Sequence, residues 1–161
     1  MTQRAPAAGL AIAAVVAATI PFTTSFERIV PHAYRDPAGV STECIGETRN
    51  VLWGVTFTRA QCQAMLANRL TKDYAPQILK CAPALATRPS AFEAALDASY
   101  NAGTSAFCRS PMAKAFNAGE WTEGCARFIG WRVTARGQIM PGLIVRRRDE
   151  AATCVKGLPD A

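Results

Sequence analysis

Phe26-Glu27-Arg28-Ile29-Val30-Pro31-His32-Ala33-Tyr34-Arg35-Asp36-Pro37-Ala38-Gly39-Val40-Ser41-Thr42 is the most informative run in this chain. It holds two carboxylates nine positions apart and a hydroxyl six further on. Two carboxyl groups held across a cleft cleave a glycosidic bond without metal or cofactor: one protonates the leaving oxygen, the other handles the water or the sugar cation. The pair works only where their surroundings separate the two acid strengths. The local chemistry predicts one polar group on each of three elements. Ser25 suits the cap of a short helix carrying Glu27, which Pro31 keeps from running on. Asp36-Pro37-Ala38-Gly39 has the residue order of a type I turn. Val40 to Ile45 then reads as a short strand. Singly, Glu27 reads as a solvated helix charge, Asp36 as a turn starter and Thr42 as a strand residue; the spacing, together with motifs further on, outweighs those plainer roles.

Glu-x8-Asp-x5-Thr, followed by Thr42-x-Cys44-x-Gly46-x-Thr48, resembles the active-site region of phage lysozymes of glycoside hydrolase family 24. Leu96-Asp97-Ala98-Ser99-Tyr100-Asn101-Ala102-Gly103 resembles the family's aromatic-Asn-x-Gly helix end. Gly142-Leu143-Ile144-Val145-Arg146-Arg147-Arg148-Asp149-Glu150 resembles its Gly-Leu-x-x-Arg-Arg-x-x-Glu segment. The likeness spans roughly positions 26 to 155. It implies a lysozyme-like α+β fold, a small antiparallel β lobe packed against a larger helical lobe. It also implies an inverting peptidoglycan hydrolase that cuts between N-acetylmuramic acid and N-acetylglucosamine. Glu27 would be the general acid, and Asp36 with Thr42 would stabilise the sugar cation and position the water. No cofactor or metal is expected. Two departures stand out: Arg28 follows the acid where many relatives have Gly, and Glu47 replaces the His of Gly-His-Thr. A cation beside Glu27 would favour its ionised form and weaken it as an acid, and a third carboxylate at Glu47 would act in the opposite sense.

Ala5 to Phe22 carries no charge and follows Arg4. A bilayer crossing needs roughly 17–25 residues, so residues 1–24 read as a signal-anchor helix ahead of a catalytic domain at 25–161. A cleaved signal peptide is the competing reading. The run is rich in Ala and poor in large apolar residues, so it gains little from lipid. In that it resembles the signal-anchor-release endolysins, which implies a tethered enzyme at the host inner membrane, facing the periplasm and later freed into it. Six cysteines all follow this segment, none in Cys-x-x-Cys spacing, and His32 is the sole histidine. That composition argues against zinc and against a histidine-based nucleophile, and for three disulfides made in an oxidising compartment. Sequence leaves fifteen connectivities open; sequential pairing, Cys44 with Cys62, Cys81 with Cys108 and Cys125 with Cys154, would tie neighbouring elements.

With 161 residues, half of them apolar, the remainder reads as one domain. Residues 33 to 57 suit a small sheet. Thr58-x-x-Gln61 and Ser90-x-x-Glu93 read as capping boxes, Ser110-Pro111 opens a further helix, and helices are expected over 121–128 and 142–155. Phe92, Leu96 and Tyr100 share a helical stripe ending at Gly103, which reads as core. The net charge of +6 suits an anionic wall or lipid surface, and nothing marks a nucleic-acid module. One of the adjacent Arg146, Arg147 and Arg148 reaching Glu27 or the substrate is a further expectation. The expected partners are peptidoglycan and the inner membrane, with the chain acting as a monomer. Two rival readings are an anchored lysozyme fold that binds peptidoglycan without cutting it, and a cationic protein whose N-terminal helix disrupts membranes.

Overall fold

The computed structural model describes the backbone of residues 6–158 and the side chains of residues 11–158; Arg4 and the start of the expected anchor segment lie outside them. Helix α1 runs from Pro6 to Phe26, with Pro21 inside it. The short helix expected to begin at Ser25 therefore does not form. Ser25 lies within α1 and its hydroxyl donates to the Phe22 carbonyl, a back-bond that keeps it in the helix instead of capping a new one. Glu27 follows the end of this long helix, its N–H donating to the Thr23 carbonyl. Among the described residues, no helix is long and apolar enough to cross a membrane.

The chain then turns into a hairpin of β1 (Val30–Arg35) and β2 (Ser41–Cys44), antiparallel, with Tyr34 opposite Thr42 and Arg35 opposite Ser41. The turn is the expected one: the Gly39 N–H donates to the Asp36 carbonyl at 2.8 Å. Gly39 has φ +80, a conformation that a side chain would strain. The rest is helical, apart from a two-residue-strand hairpin, β3 (Thr134–Ala135) and β4 (Gln138–Ile139). α2 (Arg59–Arg69) starts at the Thr58–Gln61 capping box, with both reciprocal bonds present. It passes through a π-type turn, Leu70–Tyr74, into α3 (Ala75–Cys81). α4 (Pro89–Ala102) does not use the Ser90–Glu93 box. Pro89 takes the first helical position, where its fixed φ and missing N–H fit; that makes Arg88 the cap and draws Ser90 inside. α5 (Thr104–Cys108), α6 (Pro111–Asn117, capped by Ser110), α7 (Trp121–Ala126) and α8 (Pro141–Cys154) complete the lobe.

α4 is the central post. Ala91 through Ser99 are buried apart from Glu93, and α1, α3, α5 and α8 pack around it. The Phe92 and Leu96 stripe is core as expected. α1 presents Val15, Val16, Thr19 and Thr23 inward, all buried, and turns Ala13, Ala14, Ala17 and Ala18 outward. The three expected disulfides are formed: Cys44–Cys62 joins β2 to α2, Cys81–Cys108 joins α3 to α5, and Cys125–Cys154 joins α7 to α8. They span 18, 27 and 29 residues, so each removes about 3 kcal/mol of unfolded-chain freedom in a loop-entropy account.

Candidate active site

Glu27 sits where α1 gives way to β1, one third exposed, with Arg146 of α8 bonded to its Oε1. Arg146 is 3 % exposed and reaches Glu27 because it is anchored from behind. Its Nε and Nη2 donate to the two carboxylate oxygens of Asp97 at 2.8 and 2.9 Å, leaving Nη1 for Glu27. Asp97 projects from the middle of α4, is fully buried, and also accepts the Thr23 hydroxyl of α1 at 2.7 Å. Burial alone would raise the Asp97 carboxyl; the hydrogen bonds and charge of Arg146 outweigh that and hold it below the usual carboxylate range. The Arg146 guanidinium also lies over the Phe26 ring at 5.3 Å. Three helices thus meet in one buried ionic joint behind Glu27.

The same α8 segment explains why two distant motifs belong together. Arg147 is fully buried, donates to Asn101 Oδ1 at 2.8 Å, lies over Trp131 and stands 2.8 Å from Glu150. The Asn of the α4 motif is therefore the partner of the second Arg of the α8 motif. Glu150 is buried beside Asp97 and finds no hydrogen-bonding donor among the described residues. Burial, with Asp97 adding to it, pushes its carboxyl up to about 10, so it holds a proton at neutral pH.

Asp36 and Thr42 share the β1–β2 hairpin. Asp36 Oδ1 accepts the N–H groups of Ala38 and Val40 at 2.9 and 2.8 Å, which fixes the carboxylate at the tip. Its other oxygen takes no hydrogen bond among the described residues. Thr42 is buried and its hydroxyl donates to the Val40 carbonyl at 3.1 Å, which leaves the oxygen lone pairs as acceptors. No hydrogen bond links Glu27 to Asp36 or Thr42 among the described residues. An open hollow beside the acid is lined by Thr24, Phe26, Glu27, Arg28, Ile29 and Arg59 among others, and Asp36 and Thr42 are not part of that lining. The hairpin is fastened to the helical lobe by the Tyr100 hydroxyl, which donates to the Ile45 carbonyl, and by Cys44–Cys62.

Both sequence departures have local explanations. Arg28 forms no ion pair among the described residues; the cation on Glu27 is Arg146 instead. Glu47 is 8 % exposed and spends its charge on Arg69 at 3.1 Å and on the N–H groups of Thr48 and Arg49. It clamps the loop after β2 to α2. Asp97 and Thr23 are site residues that sequence reasoning misses. The signals for them are an Asp inside an otherwise apolar helix stripe, and two threonines one turn apart in an uncharged run.

Comparison with known proteins agrees with this architecture. Residues 24–150 match the phage lysozyme family. The chain is 34% identical over 157 residues to the SAR-endolysin of Pseudomonas phage phiKMV, covering 94% of this chain and 92% of that protein. It is 32% identical over 127 residues to the SAR-endolysin of Enterobacteria phage P21, covering 77% and 74%. Among solved structures, the active form of P1 phage endolysin Lyz superposes with a TM-score of 0.67 at 25% identity, covering 96% of each chain. A point mutant of P22 lysozyme superposes at 0.71 with 20% identity, covering 97% and 100%, which supports the fold. A helical lobe with a small antiparallel hairpin, an acid at their junction, and a family match across most of its length together place this chain in the phage lysozyme family, as a glycoside hydrolase of the muramidase kind.

Proposed function

We propose that the chain is a bacteriolytic endolysin that hydrolyses the β-1,4 bond between N-acetylmuramic acid and N-acetylglucosamine in peptidoglycan. The observation that carries this is the setting of Glu27: a partly exposed carboxyl at the junction of the two lobes, gripped from behind by a buried arginine. Glu27 protonates the leaving glycosidic oxygen. Asp36, with one carboxylate oxygen uncommitted, faces the positive charge that develops on the sugar. Thr42 accepts a hydrogen from the attacking water and aims it. Inversion at the anomeric carbon follows if the water attacks opposite the leaving group, a geometry that needs carboxyls about 6.5–9.5 Å apart.

The N-terminal run also acts as a releasable anchor in this reading. The relatives named SAR-endolysins support it, as does the uncharged sequence from Ala5 to Phe22. The protein is held at the host inner membrane facing the periplasm, acts as a monomer once freed, and forms its disulfides there. Packing of α1 against α4 makes the full chain the right material for assay. Purified full-length protein should clear peptidoglycan and release new reducing sugar ends, with Glu27→Gln slower by at least about a hundredfold, the usual worth of a general acid. Equal clearing by parent and variant would overturn the assignment of Glu27.

A further inference from the structure

We propose that Asp97 is a positioning residue for catalysis: it holds Arg146 by two hydrogen bonds and offsets its charge, so that the guanidinium seats Glu27 while pulling on it less strongly than a bare cation would. The inference rests on the assignment of Glu27 as the acid.

The charges behind the site do not balance if every group is ionised. Arg146 and Arg147 are permanently cationic, whereas Glu27, Asp97 and Glu150 are three carboxyls in contact with them. Two cations and three anions in a buried setting leave one carboxylate in excess, and one proton restores neutrality. Asp97 does not hold it, because both its oxygens accept from Arg146 and one also accepts from Thr23. That proton lies on Glu150, and the charge on Asp97 offsets the pull of Arg146 on Glu27. Without that charge the buried guanidinium would turn its whole field on Glu27, the nearest remaining partner.

The other groups around Glu27 are accounted for. Arg28 is its chain neighbour and Arg59, from α2, lines the same open hollow; both lie toward solvent, which screens them. Tyr100 of α4 is held neutral by burial, with Glu27 adding to the effect. Arg147 is occupied by Asn101 and Glu150. Around Asp97, the remaining acids are Glu150 and Glu93. Arg146 is thus the dominant cation on Glu27, and Asp97 its dominant counter-charge.

The test is the pH dependence of peptidoglycan turnover by full-length Asp97→Asn. The descending, basic limb of the profile should move to lower pH by roughly one unit, the smaller end of what an opposite charge at contact distance produces. At a fixed pH on that limb the rate falls about tenfold, while the acid-side maximum falls less. Thr23→Val removes one donor to Asp97 and no charge, and should move the same limb the same way by a few tenths of a unit. It decides the matter if Asp97→Asn does not fold. A uniform loss at every pH, with the limb in place for the folded variants, would mean that Asp97 only supports the structure, and would overturn the proposal. Glu27→Gln separates the two readings: if that variant is as active as the parent, the acid assignment fails first. If it is inactive and the limb stays fixed in Asp97→Asn, only the positioning role fails.

Discussion

Replacing Arg146 by Met should be among the most damaging single changes in this protein, and its cost should depend on pH. Met keeps an unbranched apolar stem and removes the charge. Asp97 would remain fully buried with only the Thr23 hydroxyl as donor. The two lost bonds to a charged group are worth about 1.5–3 kcal/mol each, and the stacking on Phe26 at 5.3 Å adds about 1 kcal/mol. Relief from burying a guanidinium offsets part of this, which leaves about 3–5 kcal/mol, the usual cost of stranding one member of a buried pair. With a urea slope of about 2 kcal/mol per molar, the midpoint at pH 7 should fall by about 2 M. In the parent, the folded carboxyl of Asp97 is depressed, so its contribution is present above the unfolded value near 3.9 and fades as pH falls through the folded value. In Arg146→Met the same carboxyl is raised by burial, and acid then relieves the variant by protonating it. The gap between the two proteins should therefore narrow from pH 7 to pH 4. Adding Asp97→Leu should recover most of the loss, because no charge is then stranded. A cost under about 1 kcal/mol at pH 7, or a double variant as unstable as the single one, would refute the reasoning.

Glu150 has a folded value raised to about 10, so its contribution is fully present below the unfolded value near 4.3 and is lost as pH rises toward 10. Glu150→Gln, which copies the protonated form, should flatten the decline in thermal midpoint between pH 5 and pH 9; a parallel decline in both proteins would show that Glu150 is ionised throughout. Thr58→Ala should lose about 1 kcal/mol of unfolding free energy in urea because its capping box is formed, whereas Ser90→Ala should lose less than half of that; equal losses would mean that Ser90 caps after all.

The contrast between those two hydroxyl positions shows where the sequence speaks clearly and where it does not. Both boxes have the same pattern, but Pro89 precedes Ser90 and its ring settles the helix start before a hydroxyl can compete. The Asp36–Gly39 turn is readable because Asp36, Pro37 and Gly39 each hold the position they favour in a type I turn. The three disulfide pairs are readable as neighbours along the chain, although spacing alone leaves them undecided. The separate helix expected at Ser25 fails for the opposite reason: local capping chemistry loses to α1, whose Val15, Val16, Thr19 and Thr23 are held by the core. Pro21 is carried inside α1 without ending it. Asp97 stands within a legible motif while its use stays hidden, since its partners come from residues 74 positions earlier and 49 positions later. Arg146 is one of three adjacent arginines, and only the packing of α8 on α4 singles it out.

That long reach fixes when the seat of Glu27 can first be completed. Glu27 leaves the ribosome near the start of synthesis, and the guanidinium that seats it is 119 residues later, followed shortly by Cys154, whose bond to Cys125 secures α8. A nascent chain halted before α8 has Glu27 without the guanidinium behind it. The seat of a residue near the N-terminus is thus encoded near the other end of the chain, and a chain cut before α8 keeps Glu27 but loses the arginine that holds it.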